Sequence, residues 1–175
     1  GSSAHSLKGV AIVGNTATAA QGKWQWSTDG SAWTDIATTG LSDSAAVYVG
    51  SATLVRFVPA ANYNGTPGSL TVRLIESSDS AAPADGGTYD VSVNGGATSI
   101  SSGTVALGTS ISAVNDAPVA TGSATLAAVA EDVTAPAGST VSSLFGPNFS
   151  DSADGVTGGS SAHSLKGVAI VGNTA

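Results

Sequence analysis

The residues of this chain with the most chemistry to offer are oxygen ligands gathered in its second half: Asn115, Asp116, Glu131, Asp132, Asp151 and Asp154. Carboxylate and amide oxygens are hard donors, and calcium takes roughly six to eight of them at once. Acids drawn from both sides of a hinge would be cross-linked by one ion and would repel one another without it. The expectation is therefore a calcium site built from these six residues. The alternative is a turn at Asn115-Asp116-Ala117-Pro118 followed by solvated acids, because no compact ligand loop of the EF-hand kind is present.

Trp24, Trp26 and Trp33 raise a second possibility. Residues two apart on a strand share a face, so an exposed Trp24/Trp26 pair with Trp33 nearby would make a stacking platform for carbohydrate. The competing reading is that they seed a core built otherwise from small side chains, and it is preferred, since buried aromatic rings dominate core energetics. His5 and its counterpart His163 stand beside serines in polar sequence; a metal or general-base role is open to them, but such a residue reads first as surface. Serines are plentiful, yet no G-x-S-x-G elbow occurs, and a hydroxyl without a base and an orienting acid is inert. No catalytic residue is assigned, and the chain reads as something other than an enzyme. Asn64-Gly65-Thr66 and Asn148-Phe149-Ser150 match the short N-glycosylation pattern.

The elements that must position these groups follow from an unusual composition. Only 10% of the 175 residues are charged, against about 25% in typical globular chains. Small and β-branched residues with 23 Gly and 6 Pro make up the difference, which suits short strands and tight turns. The class is all-β. A net charge of -7 leaves no basic patch for nucleic acid. No run of about 18 apolar residues is available to span a membrane. With no Cys and no Met, disulfides and thiolate sites are excluded. The lack of Met also suggests a segment of something longer.

Apolar runs bounded by turn residues predict strands over 9–17, 22–28, 45–49, 53–58, 69–76, 89–93, 103–107, 111–114, 124–129 and 140–145, with no convincing helical period anywhere. Asp29-Gly30 reads as the turn of a hairpin between two Trp-bearing segments. Lys23, Arg56 and Arg73 fall inside apolar strands, where they must snorkel or pair with an acid. Residues 76–87 read as a flexible surface loop.

The strongest signal is a repeat. Residues 1–17, GSSAHSLKGVAIVGNTA, recur unchanged at 159–175, an offset of 158 residues. Identity over that length points to near-identical tandem units, whose selected property is their number. A natural boundary lies near Asn115, Asp116 and Pro118, where proline withdraws a ladder donor. Residues 1–115 are then most of one β-sandwich repeat and 116–175 the start of the next, so the chain is read in permuted register. Incomplete sheets offer edges for pairing, and the expected partners are neighbouring copies of the same repeat, head to tail or by strand exchange.

GKWQWSTDGSAW (22–33), LVRFVPAANYNGTPGSLTVRL (54–74) and AVNDAPV (113–119) together resemble the cadherin-like, immunoglobulin-type tandem repeats of giant bacterial surface proteins, including repeats-in-toxin adhesins. The resemblance covers nearly the whole period. It implies β-sandwiches joined end to end, stiffened by calcium at the junctions, on the cell surface or outside the cell, holding a binding tip at a distance. The nonapeptide calcium repeats of toxin β-rolls are absent.

Overall fold

The computed structural model describes residues 4–174, so residues 1–3 of the first copy and 175 of the second lie outside the described residues. The chain divides into two compact units, Gly1–Ser112 and Ala113–Ala175. Antiparallel sheets with little helix make it an all-β protein.

Unit one holds β1 (Leu7–Asn15), β2 (Gly22–Ser27), β3 (Thr34–Asp35), β4 (Ala46–Gly50), β5 (Leu54–Pro59), β6 (Leu70–Glu76), β7 (Thr88–Tyr89) and β8 (Val105–Leu107). They form a five-stranded sheet in the order β7-β4-β1-β6-β8 and a three-stranded sheet in the order β3-β2-β5. Strand β1 is central: Ala11 pairs with Tyr48 of β4 on one side and Arg73 of β6 on the other. Its near-continuous apolar run, GVAIV, is what a strand buried on both faces requires, because successive side chains point to opposite faces.

Ile12 packs with Trp24, Ile36, Val49, Leu70 and Val72, a cluster fed by both sheets. Its neighbour Ala11 joins Ala46, Tyr48, Ile75, Val91 and Ile100 on the other face. Full burial of a side chain such as Ile12 contributes about 1.5–3 kcal/mol. Gly9 is required by close approach: a Cβ there would stand 2.5 Å from the Val49 carbonyl oxygen and 2.7 Å from the Tyr48 hydroxyl.

The Trp-bearing segments do form a hairpin, with Gln25 opposite Asp35 and Trp26 opposite Thr34. The cations are settled as well. Lys23 pairs with Asp35 at 2.8 Å, and Arg73 grips Asp43 with two bonds of 2.7 and 2.8 Å. Arg56 donates to Gln25 and lies 3.8 Å over the Trp33 ring.

Several strand expectations give way. The run 89–93 shortens to β7 because the Asp90 carboxylate turns back on the Ser92 amide and hydroxyl, a local bond that competes with the ladder. Residues 103–107 shorten to β8, and of 111–114 only Ile111 pairs, as an isolated bridge to Gly65. The 76–87 loop is anchored rather than free: Asp79 is buried and accepts from the Ala81 and Ala82 amides, the Tyr89 hydroxyl and the Ser99 hydroxyl.

Unit two pairs β9 (Val119–Ala120) with β10 (Phe149–Ser150) and carries one short helix, α1 (Val141–Phe145). The strand expected at 140–145 is this helix, because the Thr140 hydroxyl accepts from the Ser143 amide and caps its first turn. Residues 124–129 form no strand. Among the described residues of this unit the only buried ones are Asp151 and Asp154. Val114, Val119, Leu126 and Val129 are exposed, and Leu144, Phe149, Val156 and Leu165 are half-buried.

Candidate metal centre

Asp151 is the N-cap of a single 3₁₀ turn, Ser152–Asp154, and Asp154 is its last residue. In that geometry residues i and i+3 lie above one another, so the two carboxylates face the same way. The turn is held by Asp154 N–H to the Asp151 carbonyl at 3.3 Å and by the Ser160 hydroxyl, which donates to the Asp154 carbonyl at 2.5 Å. A returning stretch then brings in His163, whose amide donates to Asp151 Oδ2 at 2.5 Å. Its ring Nδ1 stands 3.3 Å from Asp151 Oδ2 and 3.7 Å from Asp154 Oδ2. The three donor atoms all lie within 4.8 Å of one another.

The polar atoms here are unevenly satisfied. Asp154 Oδ1 accepts from the Asp116 amide at 2.9 Å. Asp154 Oδ2 is buried with no hydrogen-bond partner. A buried carboxylate oxygen so left costs several kcal/mol at the order-of-magnitude level unless something charged or donating meets it. The imidazole is exposed on its outer side, at 74% of its side-chain surface, so the group is open to solvent at one position.

Of the six residues expected to gather around calcium, Asp151 and Asp154 come together. Asp116 lines the same cleft and turns its N–H, a donor and not a ligand, toward Asp154. Asn115 donates its side-chain amide to the Asp116 carbonyl. Glu131 and Asp132 are exposed and stand outside the group. The assembled donors are two carboxylates and one imidazole, which does not fit calcium's shell of six to eight oxygens. On sequence grounds His163 reads first as a surface residue; the Asp-x-x-Asp spacing with a histidine nine residues on is the available signal. Its twin His5 belongs to no such group among the described residues.

The tryptophans do not make a platform. Trp24 is buried, donates to the Gly68 carbonyl at 2.8 Å and meets Phe57 edge-on. Trp26 packs against the same cluster, and Trp33 lies under Arg56. Both glycosylation patterns are absorbed by structure: Asn64 is buried, and Asn148 donates to the Thr121 carbonyl at 2.6 Å.

Two copies of one segment stand in contrast. Leu7–Asn15 is the central strand of a sheet, whereas the identical residues 165–173 form no strand. Ile12 is 0% exposed and its twin Ile170 is 86% exposed; Val171 reaches 99%.

Comparison with protein-family models, with curated proteins and with solved structures finds no match. No helix among the described residues is long and apolar enough to cross a membrane.

Proposed function

We propose that this chain is a window on an extracellular tandem-repeat protein of the bacterial cell surface, built of cadherin-like or immunoglobulin-type β-sandwiches, whose role is to give length and stiffness. The observation that carries the reading is one sequence in two states. In unit one LKGVAIVGN pairs between β4 and β6 with its central residues buried; in unit two all of it but the half-buried Leu165 is exposed. A segment with two buried faces in its working position needs both neighbours, and those lie downstream of it in sequence. The second copy is thus the counterpart of β1 in a following unit. Unit two, with no apolar residue buried among those described, is the opening part of that unit, and its apolar side chains are the surface the rest of the unit covers.

Continuation along one chain accounts for this better than exchange between chains. Exchange would swap one strand for an identical one, so no burial is gained to offset the entropy of association. Units linked covalently in line need no such gain. The composition agrees with a structural role, since small side chains and few charges favour close strand packing. A carbohydrate-binding reading would need exposed tryptophans, and Trp24 is buried.

Electron microscopy of the native material tests the proposal. Rods or fibres whose length steps in multiples of one unit are expected; isolated globules would overturn it.

A further inference from the structure

From the donor set of unit two we infer a site for a first-row transition ion of the zinc class, held by Asp151 Oδ2, Asp154 Oδ2 and His163 Nδ1. This inference is independent of the tandem-array reading, since it uses only the 3₁₀ turn and the stretch that returns to it.

Three observations converge. First, Asp154 is only 4% exposed and its Oδ2 has no hydrogen-bond partner. The His163 ring nitrogen stands 3.7 Å from it, too far for a hydrogen bond, and a buried carboxylate oxygen that meets neither a donor nor a cation is costly. Second, the imidazole nitrogen faces both carboxylates without making a hydrogen bond to either. At 3.3 and 3.7 Å the separations are longer than the roughly 2.7–2.9 Å of a charge-assisted N–H···O bond. These two edges are close to those of a coordination polyhedron, since tetrahedral ligands bound at about 2.1 Å stand about 3.4 Å apart, and the third donor pair lies within 4.8 Å. Third, the chemistry of the set selects among ions. Octahedral calcium would give similar edges, but imidazole suits zinc and its neighbours while calcium keeps to oxygen.

The first coordination shell is pre-arranged. The Asp116 amide fixes Asp154 through its other oxygen, Oδ1, and the His163 amide orients Asp151. The first bond leaves Oδ2 of Asp154 for an ion, whereas the second falls on Oδ2 of Asp151 itself and leaves that oxygen one lone pair to offer. The open outer side leaves a position for water or for a fourth protein ligand. Because His163 stands two residues before the copy of the β1 sequence that begins at Leu165, the ion would tie the start of that segment to the 3₁₀ turn Ser152–Asp154.

The test uses the full chain, stripped with chelator and titrated with cobalt(II) as a spectroscopic probe, with zinc as competitor. Binding of one ion per chain, with the visible absorption of a four-coordinate cobalt site that zinc abolishes, is expected. His163→Ala and Asp154→Asn should each weaken binding by at least about 10-fold, while His5→Ala leaves it unchanged. The His163 ring is exposed, so its removal leaves the fold intact, and circular dichroism of each variant checks this. The inference is overturned by three results: no binding, binding that His163→Ala does not touch, or calcium displacing cobalt at equal concentration. The first would mean that the cluster is a contact between one histidine and two aspartates and nothing more.

Discussion

Single residues in this protein carry weight in proportion to what they satisfy, and Asp79 is buried while accepting four hydrogen bonds. Burial alone would raise its carboxyl, yet bonds from Ser99, Tyr89 and the amides of Ala82 and Ala81 outweigh that and hold it below the usual range. A depressed folded-state value means that its stabilisation is present above the unfolded value of about 3.9 and is lost as pH falls through the folded one. Tyr89 mirrors this: burial, then the Asp79 carboxylate, pushes its hydroxyl up to about 12. That contribution is complete below about pH 10 and disappears as pH rises toward the folded value. Asp79→Ala is expected to cost about 3 kcal/mol at neutral pH by urea denaturation, because it leaves two hydroxyls and two amides without their acceptor. The variant should also lose less stability than the parent between pH 7 and pH 3. An acid limb of unchanged slope would show that Asp79 is not the group responsible. None of this was legible in the sequence, where ESSDSAAPADGG reads as polar loop. A buried acceptor is defined by donors that arrive from distant residues, here Tyr89 and Ser99. His163 was hidden for the same reason, its two carboxylates being legible as acids but not as a pair facing one imidazole.

At the scale of elements, the sequence was most informative where apolar runs are long and least where a short run depends on a partner. Strands β1, β2, β4, β5 and β6 are readable because their alternating or continuous apolar residues leave one burial pattern available. Residues 124–129 have strand-like composition but no neighbouring strand to pair with, and 140–145 turn into a helix on the strength of one capping hydroxyl. The duplicated segment makes the dependence on context measurable. Gly9→Ala places a Cβ 2.5 Å from the Val49 carbonyl oxygen and is expected to destabilise the sheet by about 2 kcal/mol. Gly167→Ala, the same substitution in the same local sequence, meets nothing within 4 Å and should stay within about 0.5 kcal/mol of the parent. Ile12→Ala and Ile170→Ala repeat the contrast, the first expected to cost about 2–5 kcal/mol and the second to be neutral. Thermal melts of the four variants check both pairs. Equal effects within either pair would mean that the two copies have the same surroundings.

For the whole molecule, the repeat was evident from the sequence alone, but its consequence was not. Identity of residues 1–17 and 159–175 says that a segment recurs; it does not say that one copy is a largely buried strand and the other largely exposed. What joins the two facts is that β4 and β6, which flank the first copy, follow it in the chain. The account's central claim is therefore that the second copy is a competent β1 strand lacking only a sheet. Hydrogen exchange by mass spectrometry on the full chain and on a variant without residues 1–17 tests this most directly. In the full chain, amides of 7–15 should exchange slowly and those of 165–173 fast. Once the first copy is deleted, the account predicts that 165–173 becomes protected as it takes the place between β4 and β6, within one molecule or between two, and that β4 and β6 stay protected with it. If 165–173 remains in fast exchange while β4 and β6 lose their protection, the claim is wrong.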